Sequence, residues 1–231
     1  MLSTRFLALS LMSLAYVTAQ ECPEIPDTGV TIGDPVPIRP QDIPAGCSDY
    51  EILVARGTSE PNFEGGGGKF GIIVGDPVVS NTTLVLPGAR GYPVQVRIQS
   101  ISYSQIISGT LRGSIDVVNR LISQAVACPK QTFSLVGYSQ GAGVMHAAAD
   151  NIPTALYGRI KSLVMFGDGY LRLGANASKF PAGLNEKVRQ VCAPGDPVCD
   201  PAGTCTFYHL TYIRPEYIDP AVNFIVQKFT Q

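Results

Sequence analysis

Phe133-Ser134-Leu135-Val136-Gly137-Tyr138-Ser139-Gln140-Gly141-Ala142-Gly143-Val144 is the stretch on which the reading of this chain turns. An apolar run (Phe133 to Val136) reads as a strand, Gly-x-Ser-x-Gly follows, and an Ala-rich run (Ala142 to Ala149) reads as a helix. That order builds a sharp strand-to-helix turn that lifts a serine hydroxyl clear of a sheet, with glycines on either side letting the backbones pack closely. The serine then stands at a helix N-terminus, where free N–H groups and the helix dipole favour negative charge. Acyl transfer needs such a field when a carbonyl oxygen becomes an oxyanion.

Outward from this turn, apolar runs alternate with helical ones. Ile52 to Ala55 reads as a strand, Lys69 to Val79 as a helix and Val94 to Tyr103 as a second strand. Ser108 to Ala127 repeats apolar residues at helical spacing (Leu111, Ile115, Val118, Leu121, Ile122, Ala125), which predicts an amphipathic helix with that face inward. Leu163 to Phe166 and Val188 to Cys192 are further strands, and Asp219 to Phe229 is a terminal helix with Val222, Ile225 and Val226 inward. Strands alternating with helices imply one α/β domain with a mostly parallel sheet covered on both faces.

Phe6 to Val17, preceded by Arg5 and closed by Val17-Thr18-Ala19, is too short to span a bilayer and ends at small residues. Residues 1–19 are therefore expected to be a secretion signal and the protein extracellular. Residues 20–46 read as an irregular leader rich in Pro, Asp and Gly, and 47–231 as the folded domain. Hydrophobic content of 45% against 15% charged suits a compact globule rather than a disordered chain. Formal net charge is −1, and scattered Lys and Arg offer no track for a phosphate backbone, which argues against a nucleic-acid partner. No later stretch is long enough for a membrane span.

All six cysteines (Cys22, Cys47, Cys128, Cys192, Cys199, Cys205) lie beyond the signal. An even count in a secreted chain argues for disulfides rather than a metal site, and no metal or cofactor is expected. Asn81-Thr82-Thr83 and Asn176-Ala177-Ser178 are acceptors for N-glycosylation. Gly65 to Lys69 fails as a phosphate loop, because Phe70 stands where Ser or Thr is required, and reads as a surface turn.

A serine hydroxyl is a weak nucleophile at neutral pH and needs an adjacent base. The chain holds two histidines. His146 lies about 10 Å along the same helix from Ser139, too far to reach it, and reads as structural. His209 sits far downstream on a segment free to fold back over the strand ends, and is the base. Asp168 and Asp196 both keep the order Ser, Asp, His. Asp196 is favoured because Pro194 and Pro197 stiffen its loop, and a bridge between the flanking Cys192 and Cys199 would close that loop into a ring. The bland reading of Asp168 is a turn residue between Gly167 and Gly169. The N–H of Gln140 is one candidate oxyanion donor, and Thr58, in the loop Arg56 to Glu60 after the first strand, is the other.

Ala55-Arg56-Gly57-Thr58-Ser59-Glu60, Gly137-Tyr138-Ser139-Gln140-Gly141-Ala142, Cys192 to Cys199 around Gly195-Asp196, and His209-Leu210-Thr211-Tyr212 together resemble the fungal cutinase family. They run in the family's order over roughly residues 47 to 229. The resemblance implies an α/β-hydrolase fold without a large lid and a monomeric serine esterase acting on cutin and short-chain esters. It implies Ser139, Asp196 and His209 as triad, with Thr58 and Gln140 as oxyanion hole. Val198 and Leu210, flanking acid and base, would meet the acyl chain. Cys47–Cys128 and Cys192–Cys199 bridges are implied as well, leaving Cys22 and Cys205 to each other. The family also includes esterases that deacetylate xylan, but the stretch from His209 to Tyr212 is closer to the cutinase side. A secreted binding protein on the same scaffold is the remaining alternative. The segment around Ser102 to Gln105 and the Pro-rich leader depart from the family pattern, and neither touches the triad.

Overall fold

The protein's structure, a computed structural model, describes residues 22–24, 32–33, 38–58, 60, 62–63, 68–95 and 103–231. The expected signal segment, 1–19, lies outside them. Strands β1 (Ile32–Gly33), β2 (Tyr50–Ala55), β3 (Asn62–Phe63), β4 (Ala89–Pro93), β5 (Thr132–Tyr138), β6 (Ile160–Phe166) and β7 (Val188–Val191) alternate with helices α1 (Gly75–Val85), α2 (Tyr103–Ala127), α3 (Gln140–Ala149), α4 (Thr206–His209) and α5 (Pro215–Phe229). Among the described residues, five strands form one parallel sheet in the order β4-β2-β5-β6-β7, and β1 pairs with β3 apart from it.

Strand period sorts the core into two layers. Leu53, Ala55, Phe133, Leu135, Leu163 and Met165 face α2 and α3. Ile52, Val54, Val136, Tyr138, Val164 and Phe166 face α1 and α5. Burial on both faces is why these strands read as near-continuous apolar runs rather than alternating ones. The sheet order puts β5 at the centre, with β2 on one side and β6 on the other, so the loops after all three strands meet at one end.

Some sequence expectations need correction. The second strand is Ala89–Pro93, not Val94 to Tyr103: Val94 and Gln95 follow it without regular structure, 96–102 fall outside the described residues, and Tyr103 opens α2. Its pairing with β2 runs as far as Val54 opposite Pro93, and the Val94 N–H closes it on the Val54 carbonyl at 2.9 Å. The first helix starts at Gly75 rather than Lys69, because the Asp76 carboxylate accepts the Gly68 and Phe70 N–H groups and holds 68–74 as a loop over the core. On α2 the inward residues are Ser114, Val117, Leu121 and Gln124, whereas Leu111, Ile115 and Ile122 are 54%, 59% and 41% exposed. The terminal helix begins earlier than expected, at Pro215, with Val222 and Ile225 inward.

The three disulfides are Cys22–Cys205, Cys47–Cys128 and Cys192–Cys199. The first ties the leader to the segment just before α4. A buried carboxylate secures the leader's end: Glu51 accepts Arg90 Nε at 2.8 Å and Arg120 Nη2 at 2.6 Å. The same two guanidiniums donate to the carbonyls of Pro44, Ala45 and Gly46.

Candidate active site

β5 ends at Tyr138 and α3 begins at Gln140, so the chain reverses within the single residue Ser139. Ser139 has φ 54° and ψ −117°, and among the described residues it is the only non-glycine with positive φ. Such a conformation is strained for an L-residue and persists only where its surroundings enforce it. The enforcement is visible at Gly141: a Cβ there would lie 1.8 Å from the Ala55 carbonyl oxygen, so only glycine lets α3 approach β2 this closely. The Ser139 N–H donates to the Phe166 carbonyl at 2.9 Å, fastening the turn to the end of β6.

His209 closes α4 and comes to that same corner. A Cβ on Gly167, the residue after Phe166, would lie 2.8 Å from His209 Cε1 and 3.2 Å from Asp196 Oδ2. His209 Nδ1 and Asp196 Oδ2 are 2.8 Å apart, which leaves Nε2 as the free ring nitrogen. The Tyr138 hydroxyl donates to the His209 carbonyl at 2.6 Å, and the two rings stack with centroids 5.1 Å apart. The residue before the serine therefore supports the histidine. Among the described residues the Ser139 hydroxyl itself has no hydrogen-bond partner.

Asp196 is fully buried. Burial works to raise its pKa, but hydrogen bonds from His209, Tyr212 and the Val198 N–H more than reverse this, and the carboxyl titrates below the usual range. Tyr212 donates its hydroxyl to Oδ2 at 2.5 Å, the oxygen that also meets His209, and accepts the Ala193 N–H at 3.0 Å. The Cys192–Cys199 bridge closes the loop around this acid.

On the other side of Ser139, Thr58 follows β2. Its hydroxyl donates to Gln140 Oε1 at 2.9 Å, while Gln140 Nε2 donates to the Ile106 carbonyl and to Thr110 Oγ1 on α2. The Gln140 side chain thus braces the β2 loop against α2, and its N–H belongs to the first turn of α3, where N–H groups lack intrahelical partners. Two residues after Thr58, Glu60 is buried and accepts the N–H groups of Gly57 and Ile73. Burial pushes its carboxyl up to about 7.

Asp168 caps the short helical turn Gly169–Leu173, as its place between two glycines suggests, and it is also the partner of His146. Their Oδ2 and Nε2 are 2.9 Å apart, both are buried, and Asp168 also accepts the Tyr170 N–H and Gln190 Nε2. The His146 ring is stacked between Tyr170 and Phe180. Each histidine therefore has its own aspartate, and Asp196 is the one beside His209. Val198 is half-buried next to this acid, and Leu210, 37% exposed, follows the histidine. Asn81 is half-buried on α1 and Asn176 is exposed. Among the described residues, no three His, Cys, Asp or Glu gather as metal ligands, and no helix is long and apolar enough to cross a membrane.

Tyr138, Tyr212 and Glu60 are the site residues that pattern reading missed as functional groups. Tyr138 and Tyr212 stand inside quoted motifs, but nothing in spacing tells that their hydroxyls turn toward His209 and Asp196.

A family model described as Cutinase matches residues 46–229. Cutinase cut1 of Trichoderma harzianum is 33% identical over 183 residues, which cover 78% of this chain and 66% of that protein. The chain thus spans about two thirds of that relative's length. A structure of Trichoderma reesei cutinase in complex with a C11Y4 phosphonate inhibitor is similar at a TM-score of 0.64 and 29% identity, covering 88% of this chain and 82% of that one. An acetylxylan esterase structure is similar at a TM-score of 0.65 and 21% identity, covering 80% of this chain and all of the other, a likeness of fold. The fold is that of the α/β hydrolases, and with most of its length matched by the family model, this chain belongs to the Cutinase family.

Proposed function

We propose that the protein is a secreted serine esterase that hydrolyses carboxylic esters through an acyl-enzyme. The observation that carries this reading is the Asp196–His209 hydrogen bond, which lies against Gly167 at the strand end whose Phe166 carbonyl anchors the Ser139 turn. His209 Nε2 takes the Ser139 proton as Oγ attacks the ester carbonyl. Asp196 keeps the imidazole in the tautomer with its proton on Nδ1 and stabilises the cation that forms. The N–H groups of Gln140 and Thr58 receive the oxyanion. The imidazolium returns its proton to the leaving alkoxide, and water activated by His209 then cleaves the acyl-enzyme. Hydrogen bonds between nucleophile and base commonly tighten only with substrate bound, which accommodates the unpaired Ser139 hydroxyl.

The substrate class is cutin, the hydroxy-fatty-acid polyester of plant surfaces, together with short-chain soluble esters. Support comes from the relative at 33% identity, which is named a cutinase. Val198 and Leu210 offer apolar surface beside acid and base for the acyl chain. Three disulfides suit an oxidising, extracellular setting. Asn176, being exposed, is the better placed of the two glycan acceptors, and the protein acts as a monomer.

Ser139→Ala is expected to abolish hydrolysis of p-nitrophenyl butyrate while thermal unfolding stays that of a folded domain. Retained turnover would refute the assignment. Release of hydroxy-fatty acids from cutin, compared with release of acetate from acetylated xylan, decides the substrate.

A further inference from the structure

Glu60 closes the loop that carries Thr58 and turns its side chain into the interior, and the triad alone gives it no part. Its Oε2 accepts the Gly57 N–H at 3.0 Å and its Oε1 the Ile73 N–H at 2.7 Å. Gly57 directly precedes Thr58. A Cβ on Gly57 would lie 2.9 Å from the Tyr138 ring and 3.5 Å from Ser139 Cβ, so this glycine is pressed against the nucleophile turn while Glu60 grips its N–H. Space for the carboxylate is reserved at Gly71, which has φ +94°: a Cβ there would lie 2.2 Å from Glu60 Oε2. Arg56 and Asp76 are the charged groups that bear on it.

Burying a carboxylate is costly, and an apolar side chain would fill the same space more cheaply. What it supplies here is two acceptor oxygens for two N–H groups on different segments. Removing it would orphan both.

We infer that Glu60 is a positioning residue of the oxyanion hole, its carboxylate holding the Gly57 N–H so that the Thr58 N–H stays aimed at the oxygen that becomes charged on Ser139. Glu60 does not touch substrate. The inference rests on the reading of Ser139 as nucleophile and Thr58 as oxyanion donor. Donors aimed at developing charge act on the transition state, so a misplaced Thr58 lowers kcat and leaves KM nearly unchanged.

The test is Glu60→Gln at pH 8 in the full chain. Glutamine keeps one acceptor oxygen but turns an NH2 group on the other N–H donor. Esterase activity is counted per Ser139 titrated with an organophosphate, so that only folded, competent sites enter. The expected result is a fall in kcat on the order of 10²-fold, as for a misplaced catalytic group, with KM within about twofold. Affinity for a phenylboronic acid, which becomes a tetrahedral anion on the serine, falls with kcat. Glu60→Asp, which keeps the charge on a shorter stem, is expected to fall between the two and provides a second variant should the first fold poorly. Unchanged kcat and boronate affinity per labelled site, with only a lower melting temperature, would show a merely structural carboxylate and overturn the inference. Failure of the wild type to label at Ser139 or to turn over ester would instead bring down the underlying reading, and the inference with it.

Discussion

Tyr212 shares one oxygen of Asp196 with the histidine: its hydroxyl reaches Oδ2 at 2.5 Å, where His209 Nδ1 lies at 2.8 Å. The acid is therefore held from two sides, and part of its charge is drawn toward a phenol that is wholly buried.

Tyr212→Phe removes that donor and orphans the Ala193 N–H that the phenol oxygen accepts. A loss of about 1–3 kcal/mol of stability is expected from the buried unpaired group. With one donor fewer on Oδ2, Asp196 favours the His209 imidazolium more, so the acid limb of kcat/KM moves to higher pH. A shifted urea midpoint with an unmoved acid limb would mean that Tyr212 serves packing and not the acid.

Ser139 stores strain. Ser139→Gly relieves it, since glycine takes positive φ at no steric cost, whereas Ser139→Ala keeps it. Both variants lose activity, but the glycine variant is expected to be more stable than the alanine variant by about 1 kcal/mol after its larger chain entropy is discounted. Equal melting temperatures would place no strain at this turn.

The two aspartates separate cleanly. Asp196→Asn leaves His209 without the acceptor that sets its tautomer, and kcat is expected to fall on the order of 10⁴-fold with the fold kept. Asp168→Asn breaks a buried pair with His146 and is expected to cost about 3 kcal/mol of stability. Its kcat per titrated serine should change little. Kinetics and chemical denaturation of both variants read the difference directly, and a kinetic collapse in the Asp168 variant would assign it to the catalytic site.

Glu60 also gives stability a pH slope. A glutamate carboxyl ordinarily titrates at about 4.5, and burial pushes this one up to about 7, so the folded state binds its proton more tightly than the unfolded chain. The associated stability is fully present below pH 4.5 and is lost as pH rises through 7, amounting to about 3 kcal/mol at most. Glu60→Gln removes this slope, so the variant's deficit against wild type should shrink between about pH 4.5 and 7. A constant deficit in urea midpoints across that window would show that Glu60 does not titrate there.

Local order was legible without coordinates. Apolar runs of strand length, the Gly-x-Ser-x-Gly turn and the helical period after it specify β5, Ser139 and α3, because those patterns depend on near neighbours in the chain and on steric rules that hold in any fold. The chain order of Ser139, Asp196 and His209 can be read off the sequence, but Asp168 keeps that order as well.

Tertiary structure decided what near neighbours cannot. On α2 apolar residues recur at helical spacing on more than one stripe, and packing against α3 buries Ser114, Val117, Leu121 and Gln124 while Leu111, Ile115 and Ile122 stay outside. Which aspartate meets which histidine depends on where two distant strand ends bring their loops: Asp168 and His146 are 22 residues apart, Asp196 and His209 are 13, and neither spacing predicts a hydrogen bond. The bracing hydroxyls of Tyr138 and Tyr212 and the carboxylate of Glu60 gain their roles the same way. A side chain's period tells which way it points from its own element, while its partner is set by packing among elements that the chain brings together only when folded.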